Sequence, residues 1–267
     1  MRPYNNDFRT VSEKQSHVSE NFTRFIHRGW LYVPKASYEE FCDFLHNIVL
    51  LPLSRSIPAG ESVFSKLTEE EFASKEDPKE FYQKLCEGRY LAEEFVQSCK
   101  ELAAFHPSSL NTLRVITFRN GDRFEVFGGG LRVGNNGLCV DNAHGGGIFC
   151  EIDPESGKII TDGLDEYSNS YVTHPMTGVP FKGMQIPRWK EVVELCKEAS
   201  KELPCLRVVG WDVAILEDGT LELIEGNHSP GMNIVQAPAK HGVYERFSSM
   251  LLDYYGEPDQ YVTKQSA

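Results

Sequence analysis

Asp212, Glu225 and Asn227 are the residues of this chain best spaced for cation chemistry. Residues 207–231 hold two apolar runs joined by Asp218-Gly219. An Asp-Gly pair between such runs predicts a two-residue type I′ turn, which puts Glu217 opposite Thr220 and Asp212 opposite Glu225. Directly opposed residues share a face, with Cβ atoms roughly 4.5–5.5 Å apart. Two carboxylates held there among Ala214, Leu216, Leu221 and Leu223 repel each other unless a cation lies between them. Asn227, two residues beyond Glu225, falls on the same face and adds a carbonyl oxygen. Two carboxylates and an amide oxygen are hard donors, suited to Mg²⁺ or Mn²⁺, which keep waters and take further ligands from phosphates. The alternative is a surface hairpin whose acids point into water. Against it, Val208, Val209, Trp211, Val213, Ile215, Leu221, Leu223 and Ile224 make both faces apolar, the pattern of a buried strand pair.

Further candidates lie upstream. Arg114 and Arg132 each stand in a strand-like apolar run. Either alone reads as the partner of a structural carboxylate, whereas both beside a carboxylate–metal site can neutralise phosphate charge through bidentate contacts. In Asp141-Asn142-Ala143-His144-Gly145-Gly146-Gly147 the glycines allow either a close backbone approach to an anion or a tight turn, and Gly128-Gly129-Gly130 reads as a turn. His144 and His228 are either acid–base groups or hydrogen-bonded structure. The chain has no G-x-x-x-x-G-K-[ST], no G-x-G-x-x-G after a strand and no G-x-S-x-G, which removes P-loop, Rossmann and serine-hydrolase readings.

The elements that must position these residues change character along the chain. The first hundred residues or so read as mainly helical, with capping boxes at Ser37–Glu40 and Thr68–Glu71, a cap at Asp77-Pro78 with Glu80, and an earlier helix over 21–28. Between them, residues 47–64 read as strand, small-residue loop and strand. Strands are expected at 90–96, 113–118, 123–127, 130–133 and 148–152, then the hairpin. Helices are expected over 187–203 and 244–254. This mixture predicts an α+β fold with a mainly antiparallel sheet.

Length and charge bound the partners. A chain of 267 residues can bury a large core as one domain or two joined lobes. Its net charge of −12 argues against broad contact with nucleic acid or anionic membrane, so a phosphate ligand must be met by local donors. No apolar run reaches the roughly eighteen residues of a membrane span, and the polar start lacks a signal-peptide core, which predicts a cytoplasmic protein without membrane insertion. Seven scattered cysteines form no C-x-x-C pair, so they indicate neither a disulfide framework nor a zinc site.

The chain resembles the sugar-transfer-associated ATP-grasp family, which is linked to cell-surface polysaccharide synthesis and related to glutamate-ligase-like proteins. The resemblance runs from about residue 14 to 255 and is carried by Leu91-Ala-Glu93-Glu94-Phe95-Val96, Pro107-Ser-Ser-Leu-Asn111-Thr-Leu-Arg114, Leu131-Arg132-Val-Gly134, Val140-Asp141-Asn142 with Gly145 to Gly147, His174-Pro-Met-Thr-Gly178, Ile186-Pro-Arg-Trp189, Gly210-Trp-Asp212 and Ile224-Glu225-Gly-Asn227. It implies two α+β lobes clasping ATP, a small lobe within 1–96 after a helix-rich start and a large lobe over 97–267. The adenine edge would meet the backbone near Glu93, Glu94, Phe95 and Val96, and Asn111 would belong to the nucleotide site. Mg²⁺ on Asp212, Glu225 and Asn227 would bridge the phosphates, with Arg114 and Arg132 as catalytic groups. The implied reaction is carboxylate activation by phosphoryl transfer, then attack by an amine or other nucleophile on an unidentified small-molecule or sugar-linked substrate.

Two departures keep alternatives open. Leu51 stands where the family carries a phosphate-binding lysine, and Lys14 is the nearest match to a second one. The chain also begins almost at the nucleotide-binding core, which points to a short family member or a piece of a longer protein. A nucleotide or sugar-phosphate binder without turnover, and a phosphotransferase, therefore stand beside the ligase. Oligomeric state is not legible.

Overall fold

The computed structural model describes residues 22–52, 65–135 and 146–255. Its first sheet joins β1 (Trp30–Tyr32), β2 (Asn47–Pro52), β3 (Ser65–Thr68) and β4 (Tyr90–Glu94) in the antiparallel order β1-β4-β2-β3. The helices α1 (Tyr38–Phe44), α2 (Glu69–Ala73) and α3 (Pro78–Glu87) cover one face of it. Each begins at its expected cap. Ser37 and Thr68 form reciprocal capping boxes with Glu40 and Glu71, and Asp77 accepts from the N–H groups of Lys79 and Glu80. Strand alternation sends Ile48, Leu50, Leu67 and Ala92 towards Phe41, Phe72 and Leu85 of those helices. The opposite face carries Trp30, Glu93, Val49 and Lys66 in one cross-strand row.

The second sheet comprises β5 (Thr112–Asn120), β6 (Arg123–Val133), β7 (Ile148–Ile152), β8 (Gly163–Leu164), β9 (Ser170–Tyr171), β10 (Val208–Ile215) and β11 (Leu221–Asn227). Its order is β11-β10-β5-β6-β7-β8-β9, antiparallel throughout. Leu102 of α4 (Lys100–Ala103) and Trp189, Val192, Cys196 and Ala199 of α5 (Trp189–Glu202) bury one face against Leu113, Val115, Leu131 and Val213. On the other face, α6 (Asn233–Gln236) and α7 (Tyr244–Tyr255) bury Ile116, Phe118, Phe127 and Val208. That same face carries Asp212 and its charged neighbours. The α+β class with antiparallel sheets is therefore the one the sequence predicts.

Two local expectations are corrected, and three short strands were not anticipated. In place of a helix over 21–28 there is a single turn, Thr23–Phe25, after which Ile26 turns extended so that the chain can cross to β1. Phe22 and Phe25 instead join the core of the second sheet, with the Phe22 ring 5.9 Å from that of Trp211. The glycine run 128–130 is no turn. It lies inside β6, which is continuous, because helices rest on its backbone from both sides: a Cβ would come within 2.8 Å of Val235 at Gly128, 2.8 Å of Trp189 at Gly129 and 2.3 Å of Ile234 at Gly130. Finally, β1, β8 and β9 are too short to show a period and escape sequence reading. Lys14, the loop over 53–64, Asp141, Asn142, His144 and Gly145 lie outside the described residues.

Candidate active site

The hairpin of β10 and β11 reaches the expected pairing by an unexpected route. Gly219, at φ +87°, donates from its N–H to Leu216 O at 2.8 Å, and Leu216 N–H donates to Thr220 O at 2.8 Å. The loop thus holds Glu217, Asp218 and Gly219, one residue more than a type I′ turn. Next to it the register is Ile215↔Leu221, Ala214↔Glu222 and Val213↔Leu223. A bulge at Ile224 then shifts the pairing back to Asp212↔Glu225, Trp211↔Gly226 and Gly210↔Asn227. Between loop and bulge the faces are exchanged. Leu221 and Leu223, expected beside the acids, pack in the core with Val213 and Ile215, and Glu222 takes the place opposite Ala214 on the acids' own face.

Cationic groups do lie at the acids, and they are guanidinium groups. Arg114 stands opposite Asp212 on β5 and donates from Nε to Oδ1 and, at 2.7 Å, from Nη2 to Oδ2. Arg132 on β6 donates from Nη1 to the same Oδ2 at 2.9 Å. Arg114 Nη2 also lies 3.8 Å from Glu225 Oε1, and the Asn227 amide donates to that oxygen at 2.6 Å. Asp212 is buried, whereas the Glu225 side chain is 57 % exposed. Desolvation of the Glu225 carboxyl and then the charge of Asp212 push its pKa above the ordinary value, against the opposing pull of Asn227 and Arg114.

Among the described residues no group of three or more His, Cys, Asp or Glu is arranged to hold a metal. The donor set Asp212, Glu225 and Asn227 still fits Mg²⁺, which is commonly held by one or two carboxylates and completed by waters and phosphates. The formal charges of Asp212, Glu225, Arg114 and Arg132 cancel. A divalent cation alone would therefore leave the site positive, and a polyphosphate arriving with it restores balance.

The candidate adenine edge lies where the chain passes between the two sheets. Glu94 N–H donates to Gly29 O at 2.9 Å, and Gly29 N–H donates to the Glu94 carboxylate at 2.6 Å. Phe95 carries the Lys66 ammonium 4.2 Å above its ring. Glu94, Phe95 and Val96 line a cavity of about 440 Å³ with Asp43, Phe44 and His46. Leu51 occupies the β2 position paired with Leu91, two residues along from the Val49↔Glu93 pair.

Asn111 has a scaffold's position. It is fully buried, donates to Leu102 O and His106 O at 2.9 Å each, and accepts from Ser109 Oγ and Gly134 N–H. His174 reaches Gly134 O at 2.9 Å from the other side. Burial lowers the pKa of both His106 and His174, the neighbouring His174 adding to the effect on His106.

Arg28 and Glu222 escaped the sequence reading. The buried Arg28 guanidinium donates to both carboxylate oxygens of Glu93, at 3.0 and 2.9 Å, and to Glu222 Oε1 at 2.6 Å. The available signal was Glu222 itself, an acid inside a strand apolar on both faces, since a buried acid needs a partner.

Solved structures place this architecture among the ATP-grasp enzymes. The ATP-grasp ligase PsnB complexed with minimal precursor superposes with a TM-score of 0.56 at 13% identity, over 94% of this chain and 64% of that one. The same ligase with minimal precursor, Mg and ADP gives 0.55 at 14% identity, over 94% and 61%. The D-alanine-D-alanine ligase from Coxiella burnetii gives 0.52 at 13% identity, over 96% and 60%. At such identities the likeness establishes the fold, and this chain spans about 60–64% of the length of those proteins. The model of the sugar-transfer associated ATP-grasp family matches residues 74–250, and the chain belongs to that family. No curated protein matches the sequence. No described helix is long and apolar enough to cross a membrane.

Proposed function

We propose that this protein is an ATP- and Mg²⁺-dependent ligase that activates a carboxylate and joins it to an amine or another nucleophile. The observation that carries this reading is the charged row Glu225–Asp212–Arg114, completed by Arg132, on the face of the second sheet that also carries Glu222. Family membership and the PsnB complex with Mg and ADP support the same ligands. The small lobe would run to Val96 and the large lobe from Gln97, with the base near Glu93 to Val96 and the phosphates over Asp212.

Mg²⁺ on Asp212, Glu225 and Asn227 would neutralise phosphate charge. A substrate carboxylate oxygen attacks the γ-phosphorus, its bond to the β,γ-bridging oxygen breaks, and an acyl phosphate and ADP result. The nucleophile then attacks the acyl carbon and phosphate leaves. Arg114 and Arg132 would turn from Asp212 to the transferring phosphoryl group, whose geometry suits a guanidinium fork. The family's association with sugar transfer favours a substrate from cell-surface polysaccharide or related biosynthesis. Leu51 favours a second reading, a nucleotide binder without turnover, because it removes a phosphate donor.

Incubation with ATP and Mg²⁺ and panels of acids and amines separates the readings. The ligase turns over ATP to ADP and phosphate repeatedly only when both an acid and a nucleophile are present, and with the acid alone it forms at most the acyl phosphate and ADP. A binder shows a nucleotide-dependent melting shift and no turnover, and a protein with neither response refutes both.

A further inference from the structure

Arg28 stands where two crossings of the chain meet. The first leaves the core of the second sheet at Phe25 and enters β1 at Trp30, and the second leaves β4 at Glu94 and docks on β10, where Cys99 N–H donates to Ile215 O at 2.7 Å. The two crossings are tied by the Gly29–Glu94 hydrogen bonds, and a Cβ at Gly29 would lie 2.9 Å from the Glu94 carboxylate, so a side chain there would displace that carboxylate from the Gly29 N–H. One residue away, Arg28 grips Glu93 of the first sheet with a two-pronged fork and, with Nη1, Glu222 Oε1 and Leu223 O of the second at 2.6 and 3.1 Å. Glu222 also accepts from the backbone N–H groups of His27 and Arg28, at 2.8 and 3.4 Å. Its side chain is 0 % exposed and that of Arg28 is 5 %.

Two buried charges and a partly buried third are a poor device for stability alone, because well-packed apolar residues serve as well or better. What the group supplies is direction. A guanidinium fork fixes angle as well as distance, and here it fixes β4 at the residue before the Glu94–Val96 stretch and β11 three residues before Glu225. The bulge at Ile224 is what brings Glu222 and Glu225 to one face, so the anchor and the candidate metal ligand lie three residues apart on the same side of β11.

We infer that Arg28 is a positioning residue that joins the base-binding and metal-binding halves of the cleft, so that Mg²⁺ and nucleotide strengthen each other's binding only while the Arg28 grip holds. This rests on the Mg–ATP reading above. Titration calorimetry on the full chain tests it with adenosine, ATP in EDTA and ATP with excess Mg²⁺, for wild type, Arg28→Lys, Glu222→Gln and the remote core variant Val192→Ala. In the wild type the ratio of ATP dissociation constants without and with Mg²⁺ measures the coupling. Arg28→Lys and Glu222→Gln should cut that ratio by about tenfold, within the usual range of site-to-site coupling, while adenosine affinity stays within about twofold.

Val192→Ala should leave the ratio intact at a comparable loss of melting temperature. If both grip variants keep the wild-type ratio, or Val192→Ala loses it equally, Arg28 is merely structural and the inference falls. A second measurement needs no nucleotide. Amide exchange in Arg28→Lys should quicken at residues 27–29, 94 and 222–225 and stay unchanged in β5 and β6, whereas uniform quickening would overturn the inference. If wild type binds no ATP with or without Mg²⁺, the functional reading fails first, and the exchange pattern still reports whether Arg28 joins the lobes.

Discussion

Asp212 and Arg114 face each other across β10 and β5, and both oxygens of the Asp212 carboxylate are engaged by the Arg114 guanidinium. Two opposed acids suggest that removing either one relieves repulsion. The geometry says otherwise for Asp212. Its side chain is 3 % exposed and it neutralises Arg114 and Arg132, which are 14 % and 19 % exposed. Asp212→Asn should therefore destabilise the protein by about 2–4 kcal/mol, towards the low end for a broken buried pair because the arginines keep some contact with water. Glu225→Gln, at a half-exposed position, should change stability by no more than about 0.5 kcal/mol. Urea unfolding of both variants checks this, and equal small effects would show that Asp212 is no anchor.

The raised pKa of Glu225 links metal binding to protons. A folded-state value above the ordinary 4.5 means that the native apo protein holds more protons than the unfolded chain between those two values. This contribution to stability is therefore present at low pH and is lost as pH rises through the window. A cation on Glu225 needs the ionised form and should release a proton when it binds just above pH 4.5. Calorimetry with Mg–ATP in two buffers of different ionisation heat should show that release in the wild type and its loss in Glu225→Gln. Identical proton counts in the two proteins would remove Glu225 from the metal.

The hairpin shows how much a sequence can carry. The hairpin itself was legible from two apolar runs around an Asp-Gly pair, but the Asp212–Glu225 pairing agrees with the predicted register only because two unread features cancel; the three helix caps were legible because capping is local. The added loop residue and the bulge at Ile224 were not legible. They compensate each other over residues 213–224, and only tertiary packing, which buries Leu221 and Leu223 against α5's side of the sheet and aims Glu222 at Arg28, selects that solution. Arg28 was invisible for a related reason: its two partners are 65 and 194 residues away.

Gly130 offers a test of packing near the site. An added Cβ would lie 2.3 and 2.6 Å from Ile234 atoms and 3.0 Å from Cys150 O. Gly130→Ala should cost about 1–3 kcal/mol by overpacking. Truncation of the obstructing side chain in Gly130→Ala/Ile234→Ala should recover part of that loss relative to Ile234→Ala alone, although the Cys150 carbonyl remains. A fully additive double-mutant cycle in thermal or urea unfolding would show that α6 does not rest on Gly130.

Leu51 decides between a weakened nucleotide site and a different one. Its backbone pairs with Leu91 on β4, two residues along β2 from the Val49↔Glu93 pair. If this position meets the phosphates, Leu51→Lys adds a charge-assisted contact worth about 1.5–3 kcal/mol, roughly a ten- to hundredfold gain in ATP affinity. Adenosine, which lacks phosphate, should bind both forms alike. If the position faces packed apolar side chains instead, the lysine is buried without a partner and destabilises the protein with no gain in affinity. Calorimetric titration with ATP and with adenosine, beside a melting curve of each form, distinguishes these outcomes; a destabilised variant with unchanged ATP affinity would move the phosphate site away from β2.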